Sequence, residues 1–596
     1  PVTFRAAGTS LSGQAVSDSI LLIAGNSWRS YAILDEGGRI RLQPGIIGAQ
    51  ANRYLAPYGK KIGPDPASIN AAMIGGIAAN NASGMCCGTA QNSYQTVDSM
   101  RIVFADGTLL DTSDRASRLS FMRAHDEIIE KIAGLSARVC QNKALTERIR
   151  HKFKIKNTTG YSLNALIDYS DPFDILLHLM IGSEGTLGFI SEITYRTVVE
   201  HPHKASALMI FANIEDACKA VFFLKTAPVN AVELMDRAAL RSVETKKGMP
   251  ALLKTLPDQA TALLVETRAA DEDELQLNVA AIVQTLDGVP MAATAGTGAF
   301  SRTSSFAPMD CAATILPVQF TDVTAEYTQL WNIRKGLFPA VGAVRLVGTT
   351  VIIEDVAFPL KHLAAATLEL QQLFKRYHYD EAIIFGHALE GNLHFVFTQD
   401  FSDPAEVERY RSFMDDVCHM VVDRYDGSLK AEHGTGRNMA PYVELEWGTE
   451  AYGLMKEIKA IFDPRNLLNP GVVLSDDAQA HIQNLKPLPP AHVILDKCIE
   501  CGFCEAVCPS KNLSLTPRQR IAVQREISRL RASCGNPERL EALERDYRYQ
   551  GEATCAADGL CAVSCPVEIN TGEHTKHLRS LMAALPRRQK AADWLA

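Results

Sequence analysis

Apolar and polar residues follow different patterns before and after residue 200. From residue 1 to residue 200, short apolar runs alternate with glycine-rich turns, as in "PGIIGAQANRYL", which is typical of a sheet of short strands. From residue 201 to residue 475, strand-like runs such as "KASALMIFANI" are followed by amphipathic helical runs such as "EDACKAVFFLKT". This repeated order predicts a core-forming sheet covered by helices, and hence an α+β fold.

The remainder of the chain has a third pattern. "LKPLPPAHV" indicates a linker, and the cysteine-rich segment beyond it brackets a charged helix, "PRQRIAVQREISRLRAS". We interpret the charged helix as a solvated helix, with a basic docking face as the alternative. The predicted parts are a first domain at 1–200, a second domain at 201–475, a linker at 476–494 and an α-helical, ferredoxin-like domain at 495–596.

Composition narrows the class of protein. The chain has 596 residues and a formal net charge of −8 with both signs intermixed, which predicts several globular domains and argues against nucleic-acid binding. No apolar run reaches the roughly 18 residues of a transmembrane helix. Scattered, reduced cysteines favour the cytoplasm, with a peripheral place on the inner face of the cytoplasmic membrane as an alternative. Because Pro1 opens directly in a motif, we expect a fragment of a longer protein.

Three glycine-rich loops are candidates for binding an anionic cofactor. They are "RAAGTSLSGQ" (5–14), "IGGIAANNASG" (74–84) and "IGSEGTLGFISE" (181–192). Glycine lets backbone N–H groups approach phosphate oxygens closely, and the first loop adds several hydroxyl groups. None of the loops has the Rossmann or the Walker sequence. One such loop is as often only a turn, but three in succession favour a cofactor.

In this order, the three loops resemble those of the FAD-binding domain of vanillyl-alcohol-oxidase/PCMH flavoproteins. The resemblance covers residues 1–200, and the first small subdomain of that family would precede Pro1. It implies that residues 5–13 wrap the pyrophosphate and that 64–84 and 184–190 line the flavin. The FAD-contacting residues that it implies are Arg5, Gly8, Thr9, Ser10, Leu11, Ser12, Gly13, Pro64, Asp65, Ser68, Gly75, Gly76, Asn80, Ser83, Gly84, Glu184, Gly185 and Ile190.

Histidines and a glutamate form a candidate metal site in the second domain. "FGHALEGNLHFVFT" places His387 and His394 on either side of turn residues, which predicts a hairpin that brings the two imidazoles together. "AEHGTGRN" adds Glu432 and His433. Two imidazoles and one carboxylate suit zinc or a similar divalent ion, and His433 is then the candidate general base. A hydrogen-bonded histidine pair in the core is the alternative.

A metal that polarises a hydroxyl beside an imidazole base suits oxidation of a 2-hydroxy acid, and the carboxylate of such a substrate would need a cation. Arg334, in "LWNIRKGLFPAVGAVR", is the candidate for a bidentate clamp, with Lys335 and Arg345 nearby. The alternative for Arg334 is a charge on a helix surface.

Residues 201–475 resemble the C-terminal domain of FAD-dependent D-lactate and D-2-hydroxyglutarate dehydrogenases. The matching segments are "WNIRKG", "EDVAFP", "GHALEGNLH", "EHGTGRN" and "DPRNLLNPG". The resemblance implies His387, His394 and Glu432 as metal ligands, His433 as the base and Asn469 close to the flavin. The 2-hydroxyglutarate enzymes carry a Thr and a Lys where this chain has Phe338 and Ile353. The loss of two polar groups favours a short substrate with an apolar tail, such as D-lactate.

Cysteine spacing predicts iron–sulfur clusters near the end of the chain. "CIECGFCEAVCP" has the ferredoxin spacing, in which the fourth cysteine binds the other cluster. "CAADGLCAVSCP" repeats that spacing with Asp558 at the second position. The pairing rule assigns Cys498, Cys501, Cys504 and Cys565 to a 4Fe–4S cluster. Cys508, Cys555 and Cys561 would hold a second cluster, either with Asp558 as the fourth ligand or as a 3Fe–4S cluster.

Flavin and clusters in one chain resemble the long bacterial FAD/iron–sulfur D-lactate dehydrogenases. That resemblance implies oxidation of a D-2-hydroxy acid with hydride transfer to flavin N5. Electrons would then pass singly through the clusters to a quinone, a cytochrome or an electron-transfer protein. D-2-Hydroxyglutarate and glycolate stay open as substrates. The alternatives from other classes are a flavin oxidase, which needs no one-electron exit, and an electron-transfer module, which needs no base or carboxylate clamp.

Overall fold

The structure is a computed structural model that describes residues 1–25, 27–246, 249–287, 304–309 and 311–584. The end of the predicted domain at 495–596 therefore lies outside the described residues. Contacts within the chain divide it into two compact units. The first unit comprises residues 1–335, 353–396 and 409–483, and the second comprises 336–352, 397–408 and 484–596. The segment 336–352 of the predicted second domain thus groups with the cysteine-rich region.

Fourteen strands are present among the described residues. They are β1 (Val2–Arg5), β2 (Ile20–Ile23), β3 (Tyr31–Leu34), β4 (Arg39–Leu42), β5 (Lys60–Ile62), β6 (Val97–Val103), β7 (Leu109–Asp111), β8 (Phe189–Val199), β9 (His203–Phe211), β10 (Ala231–Met235), β11 (Thr261–Ala269), β12 (Thr350–Ala357), β13 (Ile383–His387) and β14 (Asn392–Gln399). One sheet has the order β3-β4-β8-β6-β7, with β5 also paired to β8, and the other has the order β12-β14-β13-β10-β11-β9. Strands β1 and β2 form a small parallel pair.

Helices cover both large sheets. Before residue 484 they are α1 (Gly48–Leu55), α2 (Ile74–Asn80), α3 (Ser93–Thr96), α4 (Arg115–Ala124), α5 (Asp126–Gln141), α6 (Lys143–Lys152), α7 (Ala165–Asp168), α8 (Pro172–Met180), α9 (Ile214–Leu224), α10 (Arg237–Val243), α11 (Glu272–Asp287), α12 (Thr324–Lys335), α13 (Leu337–Val344), α14 (Leu363–Arg376), α15 (Pro404–His419) and α16 (Val443–Phe462). The predicted α+β class is confirmed, because the expected strand–helix order appears as β9–α9 and β11–α11.

The core of the first sheet includes residues that are far apart along the chain. Apolar side chains of β4, β6 and β8 form one buried cluster with those of α16, including Met455 and Phe462. Residues after 440 therefore complete a core that begins near residue 40. Burying this apolar surface is what ties the glycine-rich loops to the loops that follow β14 along the chain.

The cysteine-rich region of the second unit is helical. Its helices are α17 (Pro517–Ser533), α18 (Pro537–Tyr547), α19 (Leu560–Ser564) and α20 (Thr571–Ala584). Pro517 occupies the first turn of α17, and Thr516 caps it together with Gln519, so this helix begins where the sequence predicts. Arg520 and Arg525 are buried, so the interpretation of α17 as a solvated helix is wrong for this face, and the alternative of a basic docking face stays a prediction. Among the described helices, none has the length and apolar character needed to cross a bilayer.

Candidate functional site

The predicted hairpin is present and brings two imidazoles together. Strands β13 and β14 pair antiparallel, with Phe385 opposite His394, and Nε2 of His387 lies 3.3 Å from Nε2 of His394. Gly391 closes the turn with a positive φ of 63°, and a Cβ atom there would lie 1.9 Å from the carbonyl oxygen of Phe358. The turn therefore requires glycine. Both histidines are buried.

Glu432 divides its two carboxylate oxygens between different partners. Oε2 accepts hydrogen bonds from Ser83 Oγ at 2.8 Å, the Gly84 N–H at 2.9 Å and Lys156 Nζ at 2.8 Å. Oε1 instead lies 3.0 Å from Nε2 of His387 and 3.4 Å from Nε2 of His394. Although burial opposes ionisation, Lys156 and His387 lower the pKa of Glu432 well below its ordinary value. The carboxylate is therefore anionic, and one oxygen points at both imidazoles.

Glu233 on β10 joins His387 to the predicted substrate arginine. Its Oε1 accepts from His387 Nδ1 at 2.6 Å, and its Oε2 accepts from Arg334 Nε at 2.6 Å. Burial alone would raise the pKa of Glu233, but His387 and Arg334 lower it to about 2. The hydrogen bond to Nδ1 leaves Nε2 of His387 as the nitrogen that faces Glu432, which is the tautomer that a metal ligand requires.

Arg334 is buried, so the interpretation as a surface charge is wrong. Its guanidinium stacks over the Phe385 ring at 4.2 Å, and Glu233 engages only its Nε atom. The terminal nitrogens then present the planar fork that binds a carboxylate in two places. Arg345 does not join this site, because its guanidinium donates to the carbonyl oxygens of Asp496, Lys497 and Cys498.

Asp355 on β12 orients the loop that carries Glu432 and His433. Its Oδ2 accepts the N–H groups of Glu432 at 2.6 Å and His433 at 3.2 Å. Its Oδ1 lies 3.2 Å from Nδ1 of His433 as a charge contact, and neither atom has a hydrogen-bond partner among the described residues. The His433 ring stacks on His394 with centroids 5.0 Å apart. This contact leaves Nε2 of His433 available as a base.

The donor set fits a divalent ion. Ligand atoms of His387, His394 and Glu432 all lie within 4.8 Å of one another, as do those of Asp355, His394 and His433. Burial lowers the pKa of His394 to about 3, which keeps this imidazole neutral and able to bind a metal. Oε1 of Glu432 lies 3.0 Å from Nε2 of His387 and 3.4 Å from Nε2 of His394, so these three donor atoms are close enough to bind one ion together.

The first glycine loop has the open backbone that a phosphate needs. Gly8 and Gly13 have positive φ angles of 65° and 78°, and a Cβ atom at Gly8 would lie 2.4 Å from the Arg5 guanidinium. Ser12 Oγ and Glu184 Oε1 are buried without a hydrogen-bond partner. Such unsatisfied atoms fit a polar cofactor against this loop. FAD therefore fits the residues present.

Other predicted FAD residues hold the loops to one another. Asp65 accepts the N–H groups of Cys86 and Cys87, and Asn469 donates to the carbonyls of Gln14 and Glu184. Asn80 Nδ2 and Gln14 Nε2 both donate to the His433 carbonyl, so the glycine-rich loops contact the loop that carries His433. Leu11 is exposed, whereas Pro64 and Ile190 are buried. The first and third glycine loops contain Thr9, Ser10 and Gly185, the stretch 64–84 contains Ser68, and helix α2 contains Gly75 and Gly76.

Four cysteines surround one cavity in the second unit. Cys498, Cys501, Cys504 and Cys565 line it together with apolar residues such as Ile521. These are the four that the ferredoxin pairing rule assigns to one cluster. Arg345 and Arg525 donate to the carbonyl oxygen of Cys498 at 3.1 and 3.0 Å. The cysteines therefore fit an iron–sulfur cluster, and two guanidinium groups fix the backbone at Cys498.

The second cysteine set differs at Asp558. Cys508, Cys555 and Cys561 are buried, and Ser510 Oγ, two residues after Cys508, bonds the carbonyl of Thr554, which precedes Cys555. Asp558 is exposed, and its Oδ1 accepts the N–H of Leu560 at 3.1 Å. Asp558 therefore makes a local hydrogen bond at the start of α19 and is not buried with the three cysteines.

Sequence reasoning missed the partners that support these sites. Glu233, Lys156 and Asp355 were given no role, although all three contact predicted site residues. One signal was available for Glu233, because it is the only charged residue in the apolar strand "AVELM". Arg520 likewise looked like one more charge on a basic helix.

Three domain families match the chain. An FAD binding domain matches residues 1–113, the C-terminal domain of FAD linked oxidases matches 200–473, and a 4Fe-4S dicluster domain matches 494–569. The chain thus has, in this order, segments that match an FAD binding domain, the C-terminal domain of FAD linked oxidases and a 4Fe-4S dicluster domain.

Curated relatives are similar at low identity. D-2-hydroxyglutarate dehydrogenase of Escherichia coli is 26% identical over 97% of this chain and 62% of its own length. Glycolate oxidase subunit GlcD of Bacillus subtilis is 24% identical over 81% of this chain and 85% of its own. The mitochondrial D-lactate dehydrogenase [cytochrome] of Arabidopsis thaliana is 27% identical over 75% and 64%. The chain thus spans about three fifths of the length of the 2-hydroxyglutarate enzymes that it matches.

Proposed function

Because this chain carries the FAD-binding and C-terminal domains of FAD-linked oxidases together with a 4Fe–4S dicluster domain, we propose that it oxidises a D-2-hydroxy acid, with D-lactate as the first candidate. The observation that carries the proposal is the buried cluster of His387, His394, Glu432 and His433 beside Arg334. An electron carrier without substrate chemistry would need neither a base nor a carboxylate clamp.

Arg334 binds the substrate carboxylate, and Glu233 and Phe385 hold Arg334 in place. The guanidinium fork holds the substrate carboxylate, while Glu233 fixes the Nε side of the same group and Phe385 supports its face. Glu233 is fully buried and anionic, so it also balances the charge of the arginine before substrate enters. The clamp is therefore pre-organised, which reduces the entropy lost on binding.

His433 accepts the proton of the substrate hydroxyl. Oxidation of the alcohol to a 2-oxo acid removes the hydroxyl proton and a hydride from C2. His433 takes the proton on Nε2, while Asp355 holds the opposite ring nitrogen and stabilises the imidazolium that forms. Bound FAD supplies the hydride acceptor, a divalent ion at His387, His394 and Glu432 supplies polarisation of the hydroxyl, and the clusters supply one-electron carriers.

The substrate tail is the finer part of the proposal. Ile353 and Asp355 are two residues apart on β12, so their side chains share one face of the sheet. The position beside the base is therefore apolar, which favours the methyl group of D-lactate over a distal carboxylate. We also propose a quinone, a cytochrome or an electron-transfer protein as the final acceptor.

Anaerobic stopped-flow spectroscopy of the full chain with its cofactors tests the proposal. We expect D-lactate to bleach the flavin absorbance, and L-lactate to leave it unchanged. His433→Gln should slow bleaching by about 10²–10⁴-fold. His419→Gln is the matched control, because His419 is an exposed histidine paired with Asp423. Flavin reduction by a reduced protein but by no hydroxy acid would establish a carrier and overturn the proposal.

The same assay separates the candidate substrates. Glycolate and D-2-hydroxyglutarate are compared with D-lactate in the wild type and in a Phe338→Thr, Ile353→Lys double variant. We expect the double variant to gain activity on D-2-hydroxyglutarate and to lose it on D-lactate. Bleaching of the wild type by D-2-hydroxyglutarate alone would refute the choice of D-lactate and leave the proton-transfer proposal intact.

A further inference from the structure

Arg520 on α17 is a buried cation without an anionic partner. Its side chain is 2% exposed, and no carboxylate oxygen of the described residues lies within ion-pair distance of its guanidinium. Its Nε donates to the carbonyl of Gly551 at 2.7 Å. Burying an unpaired charge is unfavourable, because the charge loses its hydration, so a folded protein compensates it with an anion.

Its two terminal nitrogens point to what that anion is. Nη1 lies 3.7 Å from Cys508 Sγ, in hydrogen-bond geometry, and Nη2 is buried without a hydrogen-bond partner among the described residues. Cys508 is a predicted ligand of the second cluster. An iron–sulfur cluster held by thiolates carries net negative charge and has sulfide atoms that accept N–H hydrogen bonds.

Arg525, five residues along the same helix, shows the contrast. It donates to the Cys498 carbonyl at 3.0 Å, but its charge is balanced by Glu500 at 2.9 Å. The first cysteine set therefore has an arginine that the protein itself neutralises. The second set has Arg520, which no carboxylate in the described part of the chain neutralises.

We propose that Arg520 binds the second iron–sulfur cluster, donating from Nη1 to the Cys508 thiolate and from Nη2 to a cluster sulfide. The cation favours the reduced, more negative form of the cluster, so it raises the reduction potential of this site and makes it a better electron acceptor. This inference rests on the proposed second cluster, and it does not depend on which hydroxy acid is the substrate.

An EPR-monitored redox titration of anaerobically purified full chain tests the proposal. In Arg520→Gln we expect the reduction equilibrium of the second cluster to fall at least tenfold, about 59 mV for one electron, with the first cluster unchanged. Arg520→Lys keeps the charge and loses the fork, so we expect it to retain the cluster with a smaller shift. Arg529→Gln on the exposed face of α17, where Arg529 pairs with Glu526, is the matched control.

Three results would overturn the inference. One is an unchanged potential of the second cluster in a folded Arg520→Gln protein. Another is an equal shift in Arg529→Gln, which would indicate a general effect of helix charge. The third is wild-type protein whose iron content and spectra account for one cluster only, and that result would leave hydroxy-acid oxidation untouched. If Arg520→Gln fails to fold, a lowered potential of the second cluster in Arg520→Lys with the first cluster unchanged supports the proposal, and wild-type potentials in that variant refute it.

Discussion

The polar cluster around Glu432 and the cysteine sets of the second unit neutralise their buried charges in different ways. At the polar cluster each buried ion has a partner of opposite sign from the protein: Lys156 with Glu432, Arg334 with Glu233, and Lys430 with Glu354. Among the cysteine sets, Arg520 has no such partner in the described part of the chain.

The difference concerns what the cofactor contributes. A pre-balanced cluster keeps its geometry before substrate arrives, because no charge has to move when a ligand enters. A site with an uncompensated cation is completed by the cofactor, so cofactor loading and folding are coupled there. The four predictions that follow probe this contrast, from the largest expected effect to the smallest.

Loss of a whole cluster is the largest expected effect. Cys565→Ser should abolish the first 4Fe–4S cluster and spare the second, since Cys565 lies 60 or more residues beyond its three proposed co-ligands yet lines the same cavity. Iron analysis and EPR spectra measure this loss. Cys534→Ser is the matched control, because Cys534 is an exposed thiol. Loss of the second cluster instead would show that the pairing is wrong.

Removal of the carboxylate behind the base should be next in size. Asp355→Asn is expected to lower kcat by about 10²–10⁴-fold, because the imidazolium of His433 loses its stabilising anion. Steady-state rates with the preferred hydroxy acid measure this, and the pH profile should shift while KM changes little. Asp423→Asn, at an exposed carboxylate, should leave the rate unchanged. A change in KM alone would assign Asp355 a role in binding only.

Removal of the charge that links Arg334 to His387 should have a smaller effect. Glu233→Gln leaves the volume of the side chain nearly the same but removes the charge that His387 and Arg334 share. We expect a 10–100-fold loss of metal affinity, measured by competition with a chelator, and a higher KM. Unchanged metal affinity with a raised KM would mean that Glu233 supports only Arg334.

The smallest effect is on the pH dependence of stability. Burial raises the pKa of Glu184 to about 8. Between the unfolded value of about 4.3 and pH 8, the folded state therefore keeps a proton that the unfolded state releases, and stability falls as pH rises. Glu184→Gln has no such proton, so its stability relative to wild type should grow by up to about 1.4 kcal/mol per pH unit in this window. Thermal unfolding from pH 5 to pH 8 checks this, and parallel curves would contradict it.

The fold was predictable where local pattern carries the information. Helix α17 begins at Pro517 as expected, and the β13–β14 hairpin forms around the turn that its glycine requires. Helix α13 was harder, because "LFPAVGAV" is apolar throughout and has no 3.6-residue period to mark it. The membership of residues 336–352 in the second unit had no local signal at all.

The sequence was enough to predict the candidate metal ligands, but not the buried residues that form hydrogen bonds and ion pairs with them. His387 and His394 share one hairpin, so a seven-residue spacing is enough to predict their contact. Lys156 reaches Glu432 across 276 residues, and no periodicity relates the two. Asp558 shows that spacing alone can mislead. It stands at the position of a cluster ligand, but its side chain is exposed and accepts the N–H of Leu560.

By itself the sequence determined which residues can act as ligands. The spaced cysteines, the histidine hairpin and the glycine loops each lie within one short segment of the chain. Only the tertiary structure decided which charges face one another, namely Glu233 with Arg334, Lys156 with Glu432, and Arg520 with the buried cysteines. The physical reason is that short loops fix ligand geometry through backbone dihedrals alone. Partners for buried charges, in contrast, come from any element that the core packs against them.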